Sequence, residues 1–225
     1  MSNGIAVVFP IYAGVTQLDF TAPHQVLARI AGTTLQVASV DGAPVAADGL
    51  NFAGLARLQD IERCDVLCVP GGRGIGDAIQ NRALLEQLRR LAANARYLGS
   101  VCNGSLLLAA AGLLEGRRVA CHWAWRDLLA RFGAIPDPAR VVRDGHVFSG
   151  GGVTAGIDFA LALASELTDP ATAQLAQLLL EYAPEPPFDA GRPETAPPQV
   201  LERAQRQLAE VLAAHRAIVE QMTAA

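Results

Sequence analysis

The sequence predicts an α/β fold with a mostly parallel sheet covered by helices, and three observations carry that expectation. Ile5 to Phe9 and Val66 to Pro70 are short, nearly continuous apolar runs, the composition of strands buried on both faces. Stretches with helical apolar spacing follow them, notably Ala83 to Ala95 with Leu84, Leu85, Leu88 and Leu91 on one side. Glycines stand directly after strands, and the whole of 225 residues is 51% hydrophobic and 18% charged with 21 glycines, which suits a buried sheet between helical layers.

The elements read in order as follows. After the first strand and Pro10, a loop leads to Gln17-Leu18-Asp19-Phe20-Thr21-Ala22-Pro23-His24 and a helix whose Val26, Leu27 and Ile30 share a side. Strands follow at Leu35 to Val40 and, more briefly, near Val45 and Phe52. Val66 to Pro70 then runs into Gly71-Gly72-Arg73-Gly74-Ile75-Gly76, whose backbone N–H groups could form an anion or oxyanion nest. That loop lacks the later acidic partner of a dinucleotide fingerprint. The helix Ala83 to Ala95 closes a βαβ unit onto a strand from Tyr97 to Val101.

That strand ends at Cys102, and Leu106 to Gly112 reads as the next helix, so Cys102 stands at a tight strand-to-helix elbow. Gly99, Gly104, Ser100 and Ser105 leave room for two backbones to crowd there. A helix N-terminus favours the thiolate, which makes Cys102 the candidate nucleophile; the plainer role for such a cysteine is core filler. Asp19 also admits two roles, a helix cap or a carboxyl with a raised pKa that holds a proton to donate.

Arg117 to Cys121 reads as a strand, His122 to Arg126 as the opening of a helix, and Arg140 to Ser149 as a hairpin turning at Asp144-Gly145. Helices are expected from Val153 to Leu167 and from Pro170 to Tyr182. The chain then divides into an α/β domain over 1–183 and, over 184–225, a proline-rich segment with a C-terminal helix that packs on the domain or on a dimer partner. Among the histidines only His122 lies near a candidate active segment; His24, His146 and His215 read as residues of helix starts, turns or surfaces.

Several function classes are disfavoured. A net charge of −4 with scattered basic residues offers no footprint for nucleic acid. No apolar run reaches the roughly 18 residues of a membrane span, and Met1 to Gly4 enter a strand without a charged leader, so a cytoplasmic protein is expected. Cys64, Cys68, Cys102 and Cys121 lack zinc-site spacing, and Cys64 and Cys68 read as core on one strand face, so no metal is expected.

Taken together, Val69-Pro70-Gly71-Gly72, Ser100-Val101-Cys102-x-Gly104-Ser105, Ala110-Ala111-Gly112-Leu113-Leu114, His122-Trp123 and Gly151-Gly152-Val153-Thr154-Ala155-Gly156-Ile157-Asp158 resemble the ThiJ/PfpI superfamily, which is glutamine-amidotransferase-like. Gln17 to His24 and the tail Leu180 to Phe188 resemble its isocyanide-hydrating branch. The resemblance implies a doubly wound flavodoxin-like sandwich, a homodimer, no cofactor, and conversion of an isocyanide to an N-substituted formamide through a covalent thioimidate. It assigns Cys102 as nucleophile and Asp19 as the carboxyl beside it, with Gly72, Asn103, Val153 and Thr154 binding substrate or stabilising charge. Members of that branch carry threonine after the cysteine, where this chain has Asn103. Two other functions share the motifs. One is a cysteine-based redox or stress-response protein. The other is a ligand-binding regulatory module, against which stands the lack of a helix-turn-helix in these 225 residues.

Overall fold

The computed structural model describes residues 4–224. A seven-stranded sheet forms its centre. It is built from β1 (Ile5–Pro10), β2 (Thr33–Ser39), β5 (Ala56–Arg57), β6 (Val66–Val69), β7 (Tyr97–Val101), β10 (Val141–Asp144) and β11 (Val147–Gly150) in the order β10-β11-β7-β6-β1-β2-β5. Every pairing in it is parallel except the β10–β11 hairpin at one edge, which turns at Gly145 with φ of 60°. The order reverses between β1 and β6. In such sheets the crevice at the carboxyl ends of the strands beside a reversal is where ligands bind.

The seven main helices are α1 (Gln17–Leu27), α2 (Ile75–Gln80), α3 (Arg82–Ala92), α4 (Gly104–Ala110), α5 (Ala155–Leu167), α6 (Pro170–Leu179) and α7 (Pro198–Thr223). Leu84, Leu85, Leu88 and Leu91 of α3 are all buried, as its periodicity requires, and Asn81 caps it by accepting the Leu84 N–H at 3.1 Å. On the other side α1 and α5 pack together over the sheet. The doubly wound α/β sandwich is therefore present, with Phe9, Leu67, Leu106 and Phe159 fully buried between the layers.

Several local expectations differ from the structure. The brief strands expected near Val45 and Phe52 are present as β3 (Val45–Ala47) and β4 (Leu50–Phe52), but they pair as an antiparallel hairpin outside the main sheet. The strand expected over 117–121 is β8 (Arg118–Ala120), which leaves the main sheet to pair in parallel with β9 (Ile135–Asp137). His122 to Trp125 do not open an α-helix; they turn, and a 3-10 helix runs over Arg126–Phe132 instead. The glycine loop after β6 contains the short helix α2, which periodicity could not register over six residues. Residues 183–197 hold no helix or strand, after which α7 returns to pack on the 3-10 helix and α2.

Candidate active site

Cys102 stands between β7 and α4 with φ of +60°, a left-handed conformation that costs a non-glycine residue roughly 1–2 kcal/mol. Strain of this kind survives only where the surroundings over-determine the backbone. Here its N–H donates to the Gly150 carbonyl at 2.9 Å and its carbonyl accepts the His122 N–H at 3.3 Å. Gly104 must be glycine, because a Cβ there would stand 2.3 Å from the Val69 carbonyl oxygen. Gly99 serves a different purpose from the one expected. Its missing Cβ admits the ring of Phe159, 2.7 Å from where that Cβ would be, and not a second backbone.

Asp19 lies in the first turn of α1 yet does not cap it; the carboxyl is fully buried and reaches across to β6's loop. Its Oδ2 accepts the Gly71 N–H at 3.0 Å, whereas Oδ1 has no hydrogen-bond partner among the described residues. Burial raises its pKa to about 7, against the lowering effects of the Gly71 N–H and the Cys102 thiol beside it. Of the two roles open to Asp19, the carboxyl with a displaced pKa is the one its position supports.

The thiolate that the helix N-terminus would favour is opposed by burial. Burial, then the charge of Asp19, pushes the Cys102 thiol well above its ordinary value, outweighing the backbone N–H of Asn103 that favours the anion. The side chain is only 5% exposed, and α4 is too short to reverse that cost. At neutral pH the pair therefore holds a neutral thiol next to a carboxyl poised between its two states.

The Gly71-Gly72 turn is not an open nest either. Gly72 N–H is taken by Asn103 Oδ1 at 2.7 Å, and Asn103 Nδ2 donates to the Gly72 carbonyl at 3.2 Å. Asn103 thus latches the loop to the elbow, and its buried amide lies away from solvent. Tyr12 supports the same loop by donating its hydroxyl to the Pro70 carbonyl at 3.0 Å. Nothing in the sequence marked Tyr12, since its role depends on a partner 58 residues away.

Val153 and Thr154 line a cavity of about 210 Å³ together with Cys121, His122, Trp123, Arg126, Arg140 and the turn at Gly191 to Glu194. Cys102 and Asp19 are not among its lining residues. The cavity meets the elbow through His122, which bonds to the Cys102 carbonyl, and through Gly151, next to the Gly150 carbonyl that accepts the Cys102 N–H. Burial and the Arg126 charge lower the His122 pKa to about 4, so its ring is neutral. Because Nδ1 accepts the Ala124 N–H at 3.3 Å, the network assigns the ring proton to Nε2. His215 departs from the expected surface position. It is buried in α7, where Nδ1 accepts the Trp125 Nε1–H at 2.9 Å.

A parallel α/β sandwich with a strained cysteine elbow and a buried carboxyl against it defines a class of cysteine-centred flavodoxin-like domains. The chain belongs to the DJ-1/PfpI family, whose model matches residues 5–166. It is 48% identical over 217 residues to an isonitrile hydratase of Pseudomonas putida, covering 96% of this chain and 95% of that protein. A solved ThiJ/PfpI family protein from Pseudomonas syringae superposes with a TM-score of 0.93 at 39% identity, over 96% of this chain and 90% of the other. An HTH-type transcriptional regulator, CdhR of Pseudomonas aeruginosa, is 33% identical over 139 residues, 60% of this chain and 40% of the regulator.

Proposed function

We propose that the protein is a cofactor-independent isonitrile hydratase that converts R–N≡C and water to R–NH–CHO. One observation carries the mechanism. Asp19, with a pKa of about 7 and one oxygen held by Gly71, is buried beside the Cys102 thiol. The near full-length likeness to the Pseudomonas putida hydratase supports the reaction class.

The steps follow from those two groups. As ionised Asp19 takes the thiol proton, the Cys102 sulfur attacks the electrophilic isocyanide carbon, and Asp19 returns that proton to the carbon to leave the thioimidate R–N=CH–S–Cys. Asp19, again a carboxylate, then removes a proton from the attacking water and passes it to the imine nitrogen, returning to its ionised form. The tetrahedral R–NH–CH(OH)–S–Cys collapses with cleavage of the C–S bond, and the departing sulfur takes up the hydroxyl proton through Asp19. Formamide leaves and the thiol is restored.

The redox alternative is weaker on the same observation. Peroxide reacts with accessible thiolate, and Cys102 is buried with a raised pKa. The active form is a homodimer in the cytoplasm. Exposed Leu175, Leu178 and Leu179 on one face of α6 support self-association. Four unpaired cysteines among the described residues suit a reducing compartment, and no described helix is long and apolar enough to cross a membrane.

The direct test follows p-nitrophenyl isocyanide and formamide formation with the purified protein beside Cys102→Ala. Turnover by the parent that is lost in the variant supports the reading; no turnover of this or other simple isocyanides overturns it.

A further inference from the structure

The cavity beside the elbow is cationic to a degree that hydration of a neutral isocyanide does not require. Arg126, Arg140 and Arg192 line it, against Glu194 as the sole lining acid. Arg140 is already committed to Asp158 and Thr154. Arg126 and Arg192 have no carboxylate within 4.0 Å among the described residues, and Arg126 Nε is a buried donor without a partner. A buried donor left unmade costs roughly 1–3 kcal/mol, a deficit that a ligand acceptor removes. Neutral His122 adds an Nε2–H to the guanidinium donors of Arg126 and Arg192 on this wall, where Glu194 is the one acidic side chain.

We propose that this cavity is a carboxylate subsite, and that the substrates are small isocyanides bearing a carboxylate. This rests on the hydratase reading and specifies its substrate class. A carboxylate accepts two parallel N–H bonds from a guanidinium, which a neutral R group cannot do. The cavity, at about 210 Å³, is below the ~300–1,000 Å³ usual for larger ligands, so it takes the carboxylate end of a small molecule whose isocyano group lies outside it, towards the elbow. Gly191 to Glu194, in the irregular segment between α6 and α7, line one side of the cavity and bring exposed Arg192 to it.

Product affinity tests the subsite independently of turnover. N-formylglycine and 3-formamidopropanoate are titrated into the protein alongside their uncharged primary amides, followed by NMR or calorimetry at low and high salt. The carboxylates are expected to bind at least tenfold tighter than the amides, with the advantage shrinking in salt and falling below about threefold in Arg126→Gln and Arg192→Gln. Equal binding of acid and amide by the parent, or failure of all four to bind, overturns the subsite. So does an acid preference that survives both substitutions. Because Arg192 is exposed, its replacement does not threaten the fold. If p-nitrophenyl isocyanide is hydrated but acid and amide bind alike, the subsite fails and the hydratase stands. The reverse pair of results retains an anion site and removes the hydratase.

Discussion

Asn103 holds Gly72 by both ends of its side-chain amide, accepting the Gly72 N–H at 2.7 Å and donating to its carbonyl at 3.2 Å. The two residues belong to different strand-to-helix turns, so this pair ties the loop after β6 to the cysteine elbow. The same loop supplies the Gly71 N–H that orients Asp19.

Cutting that latch is expected to cost stability and turnover together. Asn103→Ala leaves the buried Gly72 N–H unpaired, while the Gly72 carbonyl keeps the Ile75 N–H at 3.3 Å, and lowers unfolding free energy by about 1–3 kcal/mol, read from urea denaturation. Asn103→Thr retains one hydrogen-bonding group and loses less. In both variants kcat falls more than KM rises, since the substrate cavity is intact and the Asp19 support is loosened. A fully stable Asn103→Ala protein would remove the latch from the account.

The pH dependence of stability is expected to be softened, because the shifts of Asp19 and His122 act in opposite directions. The raised pKa of Asp19 gives a contribution that is full below its unfolded value near 3.8 and is lost as pH rises through about 7. The depressed pKa of His122 gives one that is full above 6.5 and is lost as pH falls through about 4. Each slope reaches at most about 1.4 kcal/mol per pH unit. Asp19→Asn is expected to expose the histidine slope, with stability dropping below pH 6.5, and His24 and His215 add in the same direction. His122→Gln is expected to shift the balance towards the opposite slope. Thermal unfolding between pH 4 and 8 reads both signs.

In the proposed cycle Asp19 must be ionised to accept the thiol proton. The kcat/KM for a neutral isocyanide therefore climbs with pH through about 7 and levels above it. Asp19→Asn abolishes turnover. A profile without an ionisation near 7 would assign the proton transfer elsewhere.

The left-handed backbone at Cys102 predicts a difference between two inactive variants. Cys102→Gly removes the Cβ that the conformation disfavours, whereas Cys102→Ala keeps it. The glycine protein is expected to be the more stable by about 1 kcal/mol in urea, less whatever unfolded-state entropy glycine adds.

His215 connects α7 to the wall of the cavity through Trp125, whose ring lies edge-on to His122 at 5.1 Å between centroids. His215→Leu orphans the buried indole N–H, costs about 1–3 kcal/mol and changes the tryptophan emission. His215→Gln, which can still accept that bond, restores most of both.

The sequence by itself determined the alternation of strands and helices, the parallel sheet and the placing of Cys102 at an elbow, because these depend on apolar runs, helical periodicity and glycines within a few neighbours. It also singled out Asp19, whose setting between Leu18 and Phe20 made a buried carboxyl one of two available roles. Tertiary structure alone decided that Asp19 is buried against Gly71 and does not cap α1, that burial raises the Cys102 thiol, that Asn103 bonds both ends of Gly72, and that Trp125 meets His215. Each of these depends on desolvation or on a hydrogen-bond partner far along the chain: Gly71 lies 52 residues from Asp19, Gly72 31 from Asn103, and His215 90 from Trp125. Local patterning records how a segment packs, but a buried group's charge and the partner that satisfies it are set only when distant segments meet.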